Sequence, residues 1–167
     1  MDWGDGTARS AVTSGEELNH TYTTGGTYTV KLVMTNQPGW ITQIDINSDK
    51  VVGGVTAPQK FPKLTVFYMH INTAWVQDIS GWQLLTGNVS FSIGGTSVYG
   101  DISNWVIPAS MINFQIYSTY VSGDTSNWVI PTGMTYYYVY RTSLTGVPVL
   151  SSMVSCFLTF KLIPLPA

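Results

Sequence analysis

The chain has 167 residues, the size of one domain or of one short repeat array. Only 10% of the residues are charged, the net charge is −2 and no basic cluster occurs, which argues against nucleic acid or an anionic membrane surface as a partner. No apolar run reaches the roughly 18 residues that indicate a transmembrane helix, so membrane insertion is not expected.

Residues 1–36 carry the first recognisable motif. DWGDGT at 2–7 is followed by HTYTTGGTYTVKLVM at 20–34, whose threonine, tyrosine and valine content favours β-structure. Both segments resemble the PKD-like β-sandwich family. The resemblance is carried by Trp3, Gly4, Asp5, Gly6, Thr7, His20, Tyr22, Gly26, Tyr28 and Val30. It covers about the second half of such a domain, which is too short to hold its own core, so we expect a β-hairpin unit that caps the first repeat.

The acidic and imidazole groups of this segment are expected to be structural. Asp5 lies between Gly4 and Gly6, two residues after Trp3 and three after Asp2, and a tight turn explains this pattern better than a metal site does. His20 is expected to be a hydrogen-bonded histidine beside Tyr22 rather than a metal ligand. The sequence therefore predicts no metal and no cofactor.

Residues 37–167 are dominated by internal repetition. YGDISNWVIPAS, from Tyr99, and SGDTSNWVIPTG, from Ser122, are nearly identical and lie 23 residues apart, and ISGWQLLTG, from Ile79, is a weaker copy. Apolar anchors place the repeat starts at 41, 64, 88, 111, 134 and 157, in steps of 23 or 24 residues. Self-similarity at such a period is the signature of a solenoid.

The apolar frame of each copy is illustrated by Met111, Phe114 and Ile116. It resembles the L-x-x-L-x-L-x-x-N-x-L frame of the leucine-rich-repeat family, over residues 41–162. Bacterial surface proteins of the BspA-like group look similar in joining a WGDGT segment to such repeats. Threonine replaces the usual asparagine at 96, 119 and 142, and we expect these hydroxyls to bond to the neighbouring backbone.

The predicted fold is mostly β: a leucine-rich-repeat solenoid with one parallel sheet of about six short strands and 23-residue turns. Pro108 and Pro131 disfavour helices on the convex side, so extended or 3₁₀ segments are expected there. Trp82, Trp105 and Trp128 recur at the repeat step. They are predicted to form a stacked core on the convex side, with an aromatic strip for sugar as the alternative.

Other residues that recur or end the chain are assigned structural roles. Asp78, Asp101 and Asp124 are expected to be solvated turn residues, with calcium binding or acid–base chemistry as the weaker alternative. Cys156 is the only cysteine, which excludes an intrachain disulfide. The apolar end FLTFKLIPLPA opens a last turn, so either the chain is a fragment or this strand supports self-association.

The outward positions of the predicted strands form one broad face, because they alternate with the core positions. Three tyrosines on one strand, next to a glutamine and a tyrosine on its neighbour, make an aromatic and polar patch on this face. The alternative is that tyrosine merely suits strands. The candidate ligand-binding residues are Tyr68, His70, Gln115, Tyr117, Tyr136, Tyr138 and Tyr140.

No enzyme is predicted, because the chain has two histidines, one cysteine and none of the common catalytic motifs. The leading hypothesis is an extracellular recognition or adhesion protein on a bacterial surface or a virion, with protein or glycan partners on the sheet face. The alternative is a structural assembly protein, such as a phage decoration or fibre subunit. No leader pattern opens the chain, so either a leader has been removed or the protein travels another way, for example by assembly into a virion inside a cell.

Overall fold

The computed structural model describes residues 1–8, 10–11, 20–30, 41–47, 54–151 and 157–158. The chain divides into two compact units, Met1–Gln37 and Pro38–Ala167. In the described part of the first unit, only Asp2 takes part in a β-bridge, and the Ser10 N–H donates to the Met1 carbonyl over 3.0 Å. Residues 31–34 of the predicted hairpin lie outside the described residues, as does Cys156.

The second unit is a parallel β-solenoid, which confirms the mostly β fold and the turn length of about 23 residues. Its strands are β1 Gln43–Asn47, β2 Val66–His70, β3 Ser90–Gly94, β4 Tyr99–Asp101, β5 Asn113–Tyr117, β6 Tyr120–Asp124, β7 Val129–Ile130, β8 Tyr136–Tyr140, β9 Ser143–Thr145, β10 Val149–Leu150 and β11 Phe157–Leu158. The largest sheet is parallel, in the order β1-β2-β3-β5-β8-β11. Within the described ranges, the one helix is a 3₁₀ turn at Pro58–Lys60, and no helix there has the length and apolar character needed to cross a membrane.

The convex side carries more regular pairing than the sequence predicted. β4, β6 and β9 form a second parallel sheet, and β7 pairs with β10. Extended segments that recur at one step bring their N–H and C=O groups into register, and these groups pair because leaving them unpaired costs free energy. The predicted extended segments are therefore organised as strand ladders.

The last strand differs in register from the prediction. A repeat start at 157 would set Phe160 beside Tyr137, whereas the structure pairs Leu158 with Tyr137 and Phe157 with Tyr136. A shift of two residues preserves the alternation of a strand, so the apolar pattern alone does not separate the two registers. Residues 159–167 lie outside the described part of the chain.

The core contains a column of aromatic rings, one from each of four successive turns. Phe67, Phe91, Phe114 and Tyr137 follow one another with ring centroids 5.5, 6.0 and 6.0 Å apart. All four are at most 2% exposed. This confirms the inward alignment of the repeat, and stacked turns share the dry interior that none could form alone.

The recurring tryptophans belong to the same core. Trp82, Trp105 and Trp128 are at most 5% exposed. Each meets the phenylalanine of the preceding strand edge-on, as Trp128 does with Phe114 at 5.7 Å and 89°. The structural interpretation is confirmed, and the sugar-strip alternative is wrong because these rings do not reach the surface.

The tight turns at the recurring aspartates pack against a glycine of the following repeat, so they hold successive repeats together. The Asp101 carboxylate accepts a hydrogen bond from the Ser103 N–H over 2.8 Å, and it is exposed as predicted. Bonds from the Ser103 hydroxyl and N–H lower the pKa of Asp101. Gly123, one turn later, has a φ of +129° and lies against this same turn. Asp78 with Gly100, and Asp124 with Gly146, repeat the arrangement.

The threonines at 96, 119 and 142 were predicted to form hydrogen bonds to the neighbouring backbone, and only the one at 142 does so. Thr96 and Thr119 are buried, and their hydroxyls have no hydrogen-bond partner among the described residues. Thr142 does bond to the backbone, since its hydroxyl accepts from the Leu144 N–H over 3.4 Å. The expected backbone bonds are wrong at 96 and 119. Asn72, at the equivalent position of an earlier turn, is also buried with no hydrogen-bond partner for its amide among the described residues, so the length of the side chain does not explain the difference.

Candidate functional site

The seven candidate residues all lie on the outward face of the largest sheet. Tyr68 and His70 are on β2, Gln115 and Tyr117 are on β5, and the remaining three tyrosines are on β8. The parallel register sets Gln115 beside Tyr138 and Tyr117 beside Tyr140. β5 and β8 are neighbours, whereas β3 separates them from β2.

β3 does not contribute to the accessible surface, although the sequence predicted that the outward residues of every strand would form part of one broad face. Ser90, Ser92 and Gly94 are all buried, although they point outward in the strand alternation. The Tyr68 hydroxyl reaches across to lie 2.6 Å from the Ser90 hydroxyl. Larger side chains on both neighbouring strands lean over the small ones, because this buries apolar ring surface that would otherwise meet water.

Tyr117 covers the other end of β3. Its ring occupies the space where a Cβ on Gly94 would lie, and its hydroxyl is 3.5 Å from Nδ1 of His70. The ring also stacks on Tyr140, with centroids 5.2 Å apart and planes at 7°. Burial, followed by the neighbouring Tyr140, raises the pKa of Tyr117. Tyr117 is therefore held on both sides and supports Tyr140.

Asn113 joins the polar part of the face and was missing from the seven candidates. Its Oδ1 accepts a hydrogen bond from Gln115 Nε2 over 2.8 Å, and its Nδ2 lies 3.5 Å from the Tyr68 hydroxyl. Its outward position on β5, two residues from Gln115, was the signal that could have identified it. These contacts orient the Gln115 amide next to β8.

The tyrosines of β8 are the open half of the site. Tyr136 and Tyr138 stack along the strand at 6.3 Å and 16°, while Tyr140 stacks on Tyr117. The hydroxyls of Tyr136, Tyr138 and Tyr140 have no hydrogen-bond partner in the part of the chain that the structure describes. The face thus has two parts. Around β3 the side chains form hydrogen bonds with one another, whereas, within the described chain, the hydroxyls of the three outward tyrosines on β8 are free to form hydrogen bonds with a ligand.

We expect alanine at Gly94 to disturb the site more than the fold. Gly94 does not adopt a left-handed φ, and an added Cβ would overlap with the Tyr117 ring, a side chain, rather than with backbone. The Gly94→Ala variant should therefore keep its free energy of unfolding within about 1–2 kcal/mol while the Tyr117 ring moves away from His70. Urea denaturation and the aromatic NMR shifts of Tyr140 would measure the two effects.

Gly133→Ala is the matched control, because a Cβ there meets nothing within 4 Å. Unchanged Tyr140 shifts in the Gly94→Ala variant would contradict the proposed support of Tyr140 through Tyr117.

His70 makes the stability of this face depend on pH. Burial lowers the pKa of His70 below its ordinary value of 6.5, and Asp45 opposes this shift. The unfolded chain then binds the proton more readily, so the free energy of unfolding is expected to fall as the pH drops through 6.5. Urea denaturation at pH 7.5 and 5.5 measures this loss, and His70→Asn should remove part of it. An equal loss in the variant would contradict the prediction.

The N-terminal unit holds a separate polar cluster. His20 Nε2 lies 2.7 Å from the Asp5 carboxylate, and its ring stacks on Trp3 at 4.6 Å. The Thr7 hydroxyl, followed by His20, lowers the pKa of Asp5 to about 2, although partial burial opposes the shift. The Asp2 carboxylate accepts from the Gly4 N–H over 3.1 Å. His20 is hydrogen-bonded as predicted, and the described residues contain no group of three or more metal-ligating side chains.

A shallow groove of about 410 Å³ begins one residue beyond the ends of β3, β5 and β8. It is lined by Thr73, Gly95, Thr96, Ser97, Ser118, Thr119, Tyr120 and Arg141. Ser118 and Arg141 have left-handed φ angles of 51° and 52°. Arg141 is its charged residue, so an acidic ligand would find a counter-ion here rather than on the sheet face.

The fold and site define a class of protein: a parallel β-solenoid that presents a tyrosine-rich sheet face. Comparison with protein families adds that residues 1–51 match the model of the PKD domain, which confirms the resemblance of the N-terminal segment. PKD domains are typically found in extracellular or surface proteins. No curated protein and no solved structure significantly matches the chain.

Proposed function

We propose that this chain is a non-catalytic recognition or adhesion protein, displayed on a bacterial cell surface or a virion. Its solenoid is of the leucine-rich-repeat type, and it binds a protein or glycan partner through the sheet face. The observation that carries the proposal is the row of three tyrosines on β8 whose hydroxyls are not used within the described chain.

Preorganisation supports this use of the face. β8 pairs with β5 along its whole length and with β11 at Tyr136 and Tyr137, so its backbone is held in place. Ring stacking restricts the tyrosine rotamers before any ligand arrives. Binding then orders few additional side chains, which reduces its entropic cost. Tyrosine also offers a large contact area with only two side-chain torsions to restrain.

The location of the protein is inferred from its N-terminal unit. The PKD match covers residues 1–51 and supports an extracellular setting. The low charge of the chain suits a surface-exposed scaffold that does not attract polyanions. Bacterial and virion surfaces are the two settings that we propose.

Tyr138→Ala tests the proposed function. Tyr138 lies at the centre of the β8 row, so the variant should weaken binding to cells, or to a ligand from protein and glycan arrays, by about tenfold or more. Tyr99→Ala is the matched control, because Tyr99 is 46% exposed on the other sheet and does not line the groove. Equal binding by the wild-type protein and the Tyr138→Ala variant would refute recognition through this face.

A second candidate function is that of a structural assembly subunit, such as a virion decoration or fibre protein. One observation favours it: Val106, Val129 and Val149 are each at least 52% exposed and follow one another on the convex side at close to the repeat step. Such a column suits contact with another subunit. Light scattering should find a defined oligomer that Val129→Asp dissociates, whereas a monomer at high concentration would count against assembly.

A further inference from the structure

We infer that the ligand of the sheet face is a neutral polysaccharide that runs along β8 and bonds to the hydroxyls of Tyr136, Tyr138 and Tyr140. The inference rests on the proposed function and narrows it from protein or glycan partners to one class of glycan. Charge, hydrogen-bonding capacity and shape are three properties of the face that support it.

The face carries no permanent charge over four adjacent strands. The outward positions of β2, β3, β5 and β8 are Val66, Tyr68, His70, Ser90, Ser92, Gly94, Asn113, Gln115, Tyr117, Tyr136, Tyr138 and Tyr140. Burial lowers the pKa of His70, which keeps its imidazole neutral at pH 7. Asp45 on β1, beside Tyr68, is the charged outward residue in the described part of this sheet and lies four strands from β8. A charged ligand on β8 would therefore lose its hydration without finding a counter-ion on the face, whereas an uncharged one meets no such cost.

The hydrogen-bonding groups of the face match a ligand rich in hydroxyls. A phenolic hydroxyl both donates and accepts, as a sugar hydroxyl does, so each tyrosine of β8 can pair with a sugar in either direction. Gln115 donates one N–H to Asn113, and its side-chain oxygen has no hydrogen-bond partner among the described residues. The apolar parts of the tyrosine rings suit the C–H surfaces of a sugar ring.

The shape of the site favours a linear polymer over a small ligand or an extended peptide. Alternate residues of a strand are about 6.6 Å apart, so the Cα atoms of the three outward tyrosines of β8 span about 13 Å. The groove described above begins beyond the strand ends rather than along this row. A peptide that adds to a sheet pairs with backbone groups at a strand edge, whereas the three tyrosines occupy outward positions on the face of β8, which strand addition does not use. A polymer makes several modest contacts along an open row, and these reinforce one another.

The experiment uses the whole chain and polysaccharides of known charge. Affinity electrophoresis and calorimetry would compare neutral β-glucan, xyloglucan and mannan with the acidic polymers alginate and polygalacturonate. The test variant combines Tyr136→Phe, Tyr138→Phe and Tyr140→Phe, which removes the hydroxyls and keeps the rings. Its matched control is Tyr99→Phe, an exposed tyrosine of the other sheet that does not line the groove.

We expect at least one neutral polymer to bind, with a loss of about tenfold or more in the triple variant because three neutral hydrogen bonds are removed. The Tyr99→Phe control should retain wild-type affinity. Three results would overturn the inference: no polysaccharide binds, the triple variant binds as well as the wild type, or only acidic polymers bind. In the last case, loss on Arg141→Gln would assign them to the groove.

The outcome separates this inference from the proposed function. If the wild-type protein binds cells, the Tyr138→Ala variant does not, and no polysaccharide binds, the polysaccharide inference is refuted while recognition through the sheet face is retained. Adhesion that is insensitive to Tyr138→Ala would refute both.

Discussion

Alanine at position 123 is expected to destabilise the solenoid severely, by about 3–5 kcal/mol, because backbone strain and steric overlap add. Gly123 has a φ of +129°, a conformation that side chains disfavour. An added Cβ would lie 2.6 Å from the Asp101 carboxylate and 2.8 Å from the Ser103 backbone nitrogen. The backbone of the preceding turn cannot move aside without losing the strand ladder of β4 and β6.

Urea denaturation of Gly123→Ala, followed by circular dichroism, measures this loss. Gly133→Ala is the control, since its Cβ would meet nothing within 4 Å. Gly94→Ala is a second comparison, because its overlap is with a movable ring. Comparable stabilities for the variants at 123 and 133 would show that the packing of Gly123 against the tight turn at Asp101 does not hold the two repeats together.

Truncation of Trp128 to alanine is expected to cost about 3–5 kcal/mol, the range found when large buried aromatic side chains are removed. Trp128 is 1% exposed and packs edge-on against Phe114 at 5.7 Å. Its indole N–H also donates to the Ser103 carbonyl over 3.3 Å, so the side chain joins two turns. In a solenoid each turn contacts only its neighbours, so a cavity at this position weakens the array on both sides.

The neighbouring Val129 supplies the control for this substitution. Val129 is 52% exposed, so Val129→Ala should change the free energy of unfolding by less than about 0.5 kcal/mol. The unfolding midpoint of the Trp128→Ala variant in a denaturant titration should therefore lie far below that of the Val129→Ala variant. Overlapping curves would mean that the tryptophan ladder is not part of the core.

The site was less predictable from the sequence than the fold. All seven candidate residues lie on one face, since strand alternation and repeat spacing are enough to place them there. The sequence did not indicate that Tyr68 and Tyr117 would close over β3, or that Asn113 would join the network. Those contacts depend on which rotamer each ring adopts against its neighbours, and rotamer choice follows from packing in three dimensions.

The amino-acid sequence by itself determined the repeat length, the inward column that includes Phe91 and Phe114, and the burial of the tryptophans. These features follow from local periodicity, because every repeat places apolar residues at the same positions and buries them against its neighbours in the same way. Tertiary structure alone decided the convex strand ladders, the register of the last strand and the availability of the β8 hydroxyls. Each of these depends on contacts between turns, where side chains from different repeats compete for the same space.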